Sequence, residues 1–510
     1  MRAKRSILSF GSGAAVTSLA TLVGLVTTPF LLEWLGDERF GAFRALVEWT
    51  GYLTILELGL GGALLAVLPR ALSGGAEDVA NAMRHAIRAY AIVAALTLLG
   101  GLALVALAPW LVPVGADLRW ELRVAAGIGA VGGLLTLATP FRALLESAQR
   151  GYVVNAWLLA QSVAIVGLTL LLAWLGWGLI GMATGTLIGS IVFAAGATVS
   201  ACRRWPVLKT RPVGDSSKWG AALWKANWTT LVMNVCGRLA VLSDNIVIGL
   251  FLGPATVTPF FLTQRLIQVA GGQVAAIGSA TWAGLADIYH SNDVELLRRR
   301  VLELSRLVIA IGGAALIAVV AYNGYFVRLW VGEASYAGDR LTILAGAVVI
   351  LAGLFSLWGW VFRGAGIIQP LLPLSIATAV VNVGVSIGTT AGLGWIEGPL
   401  VGTFAAQVLV SAWAYPLLMR RHFGFSIRQL AGGLATPLAS VLAMGIVAWI
   451  LGRWYPPSGW WSLALMMAGT GIVVSIVMWF GVLSAGERSA WRARMAALRR
   501  RGAVEGTRSC

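Results

Sequence analysis

The chain has 510 residues, of which 58% are hydrophobic and 12% are charged, and its mean hydropathy is +0.82. Soluble domains carry roughly a quarter charged residues, so this composition excludes a soluble protein and indicates an integral membrane protein. The 38 lysines and arginines outnumber the 21 acidic residues. Most of these basic residues lie in short connectors between apolar segments, which argues against nucleic acid as a partner.

The few cysteines and histidines predict neither a disulfide framework nor a metal site. Cys202, Cys236 and Cys510 have no metal-ligand spacing, and all three histidines fall in connectors. We therefore expect no metal and no cofactor.

Apolar segments divide the chain into predicted membrane spans. A basic N-terminus precedes an apolar run without a convincing cleavage site, which predicts an uncleaved first helix rather than a signal peptide. The predicted fold class is an all-α polytopic membrane protein with about fourteen transmembrane helices. The spans lie at about 10–32, 43–68, 88–113, 122–146, 153–175, 178–201, 222–251, 257–284, 304–330, 341–363, 371–393, 398–419, 430–451 and 461–483.

The distribution of basic residues predicts the orientation of these spans. With the N-terminus in the cytoplasm, the cytoplasmic segments hold 29 lysines and arginines, and the outer segments hold 6. Cytoplasmic connectors carry such an excess in multi-pass proteins. We therefore expect fourteen spans with both termini in the cytoplasm.

The second span carries three ionisable residues, Arg44, Glu48 and Glu57. Such residues are costly inside a membrane and usually face a bundle interior or a watery cavity, so they indicate a functional segment. Arg44 and Glu48 are four residues apart on one helical face, where their charges partly neutralise each other. The alternative is a structural ion pair between two helices. The nearby glycines, Gly59, Gly61 and Gly62, do not follow a strand, so we assign them to a helix crossing rather than to a nucleotide-binding loop.

A shift of 217 residues superimposes the first six spans on the next six. Leu35-Gly36 then falls on Leu252-Gly253, and Gly181 and Gly185 fall on Gly398 and Gly402. An even number of spans per repeat gives two parallel six-helix lobes, an architecture associated with alternating-access transporters.

The same shift places Glu48 on Arg265 and Glu146 on Arg363. We interpret these pairs as salt bridges between the lobes, one at an outer gate and one at an inner gate, which form and break alternately. Chance placement is the alternative.

These features predict five regions. They are an N-terminal six-helix lobe at 1–204, a cytoplasmic linker at 205–221, a C-terminal six-helix lobe at 222–421, an extra helix pair at 422–484 and a basic cytoplasmic tail at 485–510. The tail is either a basic amphipathic helix on anionic lipid or a disordered end.

The segments WLGDERFGAF and GYLTILELGLGGALL, followed by a basic residue, resemble a known family. The pattern is similar to that of bacterial O-antigen and exopolysaccharide-unit flippases of the MATE-like MOP superfamily, and the resemblance covers most of residues 1–425. The final helix pair is also similar to the lipid II flippase branch, whose pattern is less complete here.

The resemblance implies a flippase that moves polyprenyl-pyrophosphate-linked oligosaccharides from the inner to the outer leaflet for polysaccharide biosynthesis. Its partners would be this lipid-linked oligosaccharide, membrane lipids, and a polysaccharide polymerase and export machinery. Because the arginine fork binds phosphate oxygens bidentately, the expected ligands of the pyrophosphate are Arg44, Arg142, Arg238, Arg265 and Arg363.

Other side chains in these spans are candidates for the sugar. Tyr52 and Trp228, together with Trp224 and Trp282, are the aromatic candidates for stacking, with packing or interfacial anchoring as the alternative. Asn234 is a candidate polar contact, and helix–helix hydrogen bonding explains it equally well.

We compare two alternative functions with this one. A proton- or sodium-coupled drug or metabolite antiporter of the same fold would bind a cation at Glu48, Glu57 or Asp244. The three arginines within spans, Arg44, Arg238 and Arg265, argue against it. A membrane glycosyltransferase or ligase would need a catalytic acid near a large outer loop, but the outer connectors are short, so we expect no enzyme.

Overall fold

A computed structural model of the chain describes residues 2–209, 219–220, 228–482, 486 and 488–489. In this part of the chain all regular structure is helical. Sixteen α-helices follow one another, interrupted by short 3₁₀ and π segments. They are α1 Arg2–Tyr52, α2 Leu60–Gly74, α3 Ala76–Leu111, α4 Arg119–Gly132, α5 Thr139–Ser147, α6 Gly151–Trp174, α7 Gly178–Arg204, α8 Trp228–Phe251, α9 Pro254–His290, α10 Val294–Val331, α11 Asp339–Gly364, α12 Leu371–Leu393, α13 Gly398–Ala406, α14 Ala412–Phe423, α15 Ile427–Trp454 and α16 Trp460–Val477.

The described residues contain eleven helices long and apolar enough to cross a membrane, or twelve if the bent pair in α8 is one span. One of the eleven, Ala15–Glu57, has 43 residues, which is about 64 Å at 1.5 Å per residue and twice the hydrocarbon thickness. Gly36 interrupts it with non-helical angles, φ 76° and ψ 167°. This segment therefore accounts for the first predicted span and the start of the second. The protein is a multi-pass membrane protein, and the number fourteen stays a prediction.

The second predicted span, 43–68, is not one helix. Leu53–Glu57 form a 3₁₀ turn, and Leu58 and Gly59 have φ of 52° and 77° before α2 begins. The sequence interpretation of the glycines as a helix crossing is thus wrong for Gly59, whose left-handed backbone ends one helix and begins the next. A Cβ at Gly61 would lie 2.8 Å from Oε1 of Glu57 and 3.7 Å from the hydroxyl of Tyr90 on α3.

The helices form two compact units. Unit 1 comprises Met1–Phe261 and Ala379–Gly402, and unit 2 comprises Leu262–Thr378 and Thr403–Cys510. The predicted domain boundaries stay a prediction. The tail at 485–510 lies outside the described residues except for 486, 488 and 489, and the linker at 205–221 is described only at 205–209 and 219–220.

Unit 1 has a core between α2, α3 and α5, where Leu64, Leu68 and Met83 are almost completely buried. Trp219 of the linker packs on this core and donates a hydrogen bond from Nε1 to Asp78 Oδ1 at 3.2 Å. The linker is therefore fixed to the beginning of α3 at this residue.

In unit 2, α10 packs against α11, α15 and α16. Its first turn is capped by Asp293, which accepts a hydrogen bond from Leu296 N at 2.9 Å. Asn323 of α10 is completely buried, and its amide donates to Thr263 O at 2.8 Å and to Thr342 Oγ1 at 3.1 Å. Buried polar groups of this kind fix the register of packed helices, since moving them leaves their donors unsatisfied.

Local backbone structure repeats at the spacing seen in the sequence. Gly36 and Gly253, 217 residues apart, have φ of 76° and 91°, and Gln149 and Gly366 have φ of 57° and 73°. Gly185 approaches Thr169 so closely that a Cβ would lie 2.9 Å from its backbone nitrogen. Gly402 approaches Ser386, the residue 217 after Thr169, in the same way.

Replacing Gly402 with alanine should destabilise unit 1. The added Cβ would lie 2.4 Å from Asn382 O, a backbone atom of α12 that cannot move aside cheaply. Overpacking of this kind costs about 1–3 kcal/mol. Gly384→Ala on α12 is the control, because a Cβ there meets no described atom within 4 Å. We expect thermal unfolding of the purified protein in detergent to shift downward for Gly402→Ala only, and equal shifts in both variants would contradict close helix contact at Gly402.

Candidate functional site

The second half of α1 is held against the start of α9 by close backbone contact. A Cβ at Gly41 would lie 1.9 Å from Pro254 O, so only glycine permits this approach. Thr258 Oγ1 donates to Asp37 O at 2.7 Å. The buried Phe40 and Phe43 lie three residues apart on the apolar face of this helix. These contacts position the ionisable residues that follow.

Arg44 lies over the ring of Phe261, with 4.0 Å from Cζ to the ring centroid. The guanidinium also interacts electrostatically with Glu48, one turn further along α1. A cation–π contact stabilises a partly desolvated guanidinium without occupying its N–H donors. The ring of Phe261 therefore holds the guanidinium of Arg44 in place and sets the plane in which its N–H groups lie.

Glu48 is joined to α8 by a hydrogen bond, in which Asn245 Nδ2 donates to Glu48 Oε1. Asp244, the neighbour of Asn245, interacts electrostatically with Glu48. The hydroxyl of Tyr52 interacts electrostatically with both Glu48 and Asp244. We call Arg44, Glu48, Tyr52, Asp244 and Asn245 the α1–α8 cluster. All five belong to unit 1.

The α1–α8 cluster contains more acceptors than donors. In the part of the chain that the structure describes, Glu48 Oε2, Asp244 Oδ1 and Asn245 Oδ1 are buried and have no hydrogen-bond partner. The cluster thus brings two carboxyl groups, Glu48 and Asp244, together with the single guanidinium of Arg44. A proton or a small cation would satisfy these oxygens, while the guanidinium suits phosphate or carboxylate groups.

A second polar contact lies at the break after α1. Tyr90 of α3 donates its hydroxyl to Glu57 Oε1, and Tyr90 is only 1% exposed. The contact joins the 3₁₀ turn that ends the α1 segment to the core of unit 1. It therefore fixes the point where the second predicted span is broken.

Removing the Tyr90 hydroxyl should loosen this break. In Tyr90→Phe the carboxylate of Glu57 loses its donor, and an unsatisfied buried acceptor costs about 1–3 kcal/mol. We expect lower thermal stability in detergent for Tyr90→Phe and no change for Tyr455→Phe, whose side chain is exposed. Combining Tyr90→Phe with Glu57→Ala should cost less than the sum of the single changes, and strict additivity would show that the two groups act independently.

The other predicted site residues are distributed over several helices. Arg142 forms an ion pair with Glu146 one turn later, with 2.8 Å between Nε and Oε1. Arg363 lies over Trp360 at 5.0 Å. Arg238 and Asn234 lie on α8 before its bend, and Arg265 is a half-buried residue of α9 in unit 2.

The structure leaves two tryptophans and two charged pairs from the sequence analysis as predictions. The side chain of Trp228, and Trp224 entirely, lie outside the described residues. The pairings Glu48–Arg265 and Glu146–Arg363 stay predictions.

Three contacts of the site involve residues that sequence reasoning did not assign, Tyr90, Phe261 and Trp360. Tyr90 is one of two hydroxyl side chains, with Thr97, in the predicted apolar span at 88–113, which is a usable signal for a polar contact in a membrane. Phe261 and Trp360 give no such signal, because aromatic residues are common throughout the chain. Their contacts with arginines depend on the rotation of each helix about its axis.

Comparison with known proteins gives the family and the fold. Residues 9–283, more than half of the chain, match the model of the family described as polysaccharide biosynthesis protein. The chain is 23% identical over 479 residues to an uncharacterized membrane protein, EpsK, of Bacillus subtilis (strain 168), which covers 92% of this chain and 93% of EpsK.

Solved structures with the same fold include a flippase and a drug transporter. The lipid II flippase MurJ, in an inward closed conformation, matches with a TM-score of 0.71 at 12% identity, over 91% of this chain and 97% of MurJ. An inward-facing MATE multidrug transporter of the MOP superfamily matches with a TM-score of 0.65 at 18% identity, over 79% of this chain and 94% of that one.

These matches confirm the predicted MATE-like fold class, and the proteins matched are transporters and flippases rather than enzymes. The residues matched by the family model include the whole of the α1–α8 cluster and Phe261. The chain belongs to the polysaccharide biosynthesis protein family.

Proposed function

We propose that the protein is a flippase that moves polyprenyl-pyrophosphate-linked oligosaccharide units from the inner to the outer leaflet by alternating access. The observation that carries this proposal is the match of residues 9–283 to the polysaccharide biosynthesis family. The fold shared with MurJ supports it. A sugar head group cannot enter hydrocarbon without losing its hydrogen bonds to water, so its transfer requires a protein with polar groups inside the membrane.

Within this proposal Arg44 binds the pyrophosphate. Its guanidinium is anchored over Phe261 at 4.0 Å, and a fixed guanidinium loses less conformational entropy on binding than a mobile one. Glu48 offsets part of its charge, which favours reversible rather than permanent binding. Arg142, Arg238, Arg265 and Arg363 remain further proposed phosphate ligands, and Tyr52, Asn234 and Trp228 remain proposed sugar contacts.

The proposal places the protein in the bacterial inner membrane with both termini in the cytoplasm. The distribution of basic residues, 29 against 6 between the two sides, supports this orientation. Its proposed partners are the lipid-linked oligosaccharide, membrane lipids, and a polymerase and export machinery that use the flipped unit.

A flipping assay with the purified protein tests the proposal. Proteoliposomes would carry a fluorescent polyprenyl-pyrophosphate-linked disaccharide, and a membrane-impermeant quencher would report the fraction in the outer leaflet over time. We expect the protein to make the inner-leaflet pool accessible faster than liposomes containing the Arg44→Ala variant. Equal rates in protein-containing and empty liposomes would overturn the proposal.

A cation-coupled antiporter is the second candidate, and the surplus of buried acceptors at Glu48, Asp244 and Asn245 favours it. An antiporter of this kind would bind a cationic dye in competition with protons or sodium. We expect no saturable dye binding. Saturable binding that is lost in Asp244→Asn, together with no flipping, would favour the antiporter.

A further inference from the structure

Two tryptophans of unit 2 form an open aromatic pair beside an arginine. The rings of Trp282 on α9 and Trp360 on α11 are 6.1 Å apart at an interplanar angle of 34°. Arg363, one turn after Trp360, lies over the Trp360 ring at 5.0 Å. Trp282 is 41% exposed, and the Arg363 side chain is exposed. We call these three residues the Trp–Arg ledge.

Glycines on both helices make room for this ledge. A Cβ at Gly278 would lie 2.7 Å from Cδ1 of Trp360, so the indole occupies the space above a residue without a side chain. A Cβ at Gly364 would lie 3.2 Å from Trp282 O and from Ala286 Cβ. The two helices therefore approach closely where the two rings meet.

The residues behind the ledge are rigidly packed. Trp358 and Phe362, on either side of Trp360 in α11, are buried, and both contact the ring of Tyr415. Phe362 also packs on Phe423 at 5.0 Å between centroids. The buried face of α11 thus fixes the part of the helix that carries Trp360 and Arg363, which favours a preorganised binding site.

The ledge combines two indoles and a guanidinium, whereas a tryptophan that only anchors a helix at the membrane interface stands alone. Trp413 is 69% exposed. Among the described residues, no aromatic ring or cation packs on its indole. An indole offers a flat face of negative potential to the polarised C–H bonds of a sugar ring, and an exposed guanidinium offers a planar pair of donors to phosphate oxygens. The ledge combines both in adjacent positions, as sugar and phosphate are adjacent in a glycosyl phosphate.

We propose that the Trp–Arg ledge binds the first sugar and the attached phosphate of the lipid-linked substrate, with Trp282 stacking on the sugar and Arg363 contacting the phosphate. This inference rests on the proposed flippase function. It assigns Trp282, one of several aromatic candidates from the sequence, to the first sugar and adds Trp360 as the ring that supports Arg363. The ledge lies near the ends of α9 and α11 that the basic-residue distribution assigns to the cytoplasm. It is therefore a site for substrate that arrives from that side.

Binding of two probes to the full-length protein in nanodiscs tests the inference. The first probe is farnesyl pyrophosphate carrying N-acetylglucosamine, and the second is farnesyl pyrophosphate alone. We expect Trp282→Ala to lower affinity for the sugar-bearing probe about fivefold to tenfold, the size of one aromatic contact, without changing affinity for the sugar-free probe. Arg363→Ala should lower affinity for both probes.

Three further variants serve as controls for misfolding and for non-specific loss of binding. Trp282→Phe keeps a stacking ring and should retain most of the preference for the sugar-bearing probe, whereas Trp413→Ala should bind both probes as the wild type does. Gly278→Ala, which displaces the Trp360 ring, should weaken sugar preference while the protein stays monodisperse.

The outcomes separate this inference from the proposed function. If the wild type prefers the sugar-bearing probe and Trp282→Ala keeps that preference, the ledge is an interfacial anchor and this inference alone is wrong. If the wild type binds neither probe, the proposed flippase function fails together with it.

Discussion

Replacing Arg44 with alanine should reduce glycolipid flipping by about a hundredfold or more. Hydrogen bonds to charged groups contribute about 1.5–3 kcal/mol each, and each 1.4 kcal/mol is a factor of ten, so losing two donors to a pyrophosphate has this size. Arg44→Lys should lie between the wild type and Arg44→Ala, because an ammonium keeps the charge but not the planar fork. The initial rate in the proteoliposome assay, at matched protein content, measures both variants.

Slower flipping by Arg44→Ala has a competing explanation: the change leaves Glu48 without its electrostatic partner and destabilises α1. The double variant Arg44→Ala/Glu48→Gln removes that charge and should recover stability but not flipping. Arg119→Ala removes an exposed arginine elsewhere in unit 1 and should flip at the wild-type rate. If Arg44→Ala flipped normally, the α1–α8 cluster would not be the head-group site.

Replacing Trp358 with alanine should cause the largest loss of stability. Trp358 is 2% exposed, its Nε1 donates to Ser305 Oγ at 3.0 Å, and its ring contacts Phe355 and Tyr415. Truncation of a buried tryptophan costs about 3–5 kcal/mol, since the cavity fills only partly. Unfolding of the purified protein with increasing sodium dodecyl sulfate, followed by protease sensitivity, measures the change.

Trp358→Phe should cost less than Trp358→Ala, because it keeps most of the ring volume and loses the indole donor to Ser305. Trp413→Ala is the matched control, since it removes the same side chain from an exposed position. Equal unfolding midpoints for Trp358→Ala and Trp413→Ala would mean that the aromatic packing between α11 and α14 does not hold unit 2 together.

Hydropathy alone predicted the membrane class, the helical fold and the approximate position of most spans. The repeat of 217 residues also had a local structural counterpart, because glycine at Gly36 and Gly253 permits a left-handed backbone in any tertiary context. By contrast, the 3₁₀ break at Leu53–Glu57 was missed. Apolar side chains are compatible with the hydrocarbon core in both a continuous and a broken helix, so hydropathy does not predict where a helix breaks.

The sequence by itself determined that Arg44, Glu48 and Glu57 belong to an apolar stretch, which predicts that they lie inside the membrane. Only the tertiary structure decided their partners: Phe261 for Arg44, Asn245 for Glu48 and Tyr90 for Glu57. Asn245 is 197 residues from Glu48 in the chain. Such a contact depends on the rotation and register of two separate helices, which are set by side-chain packing rather than by the polarity of either helix.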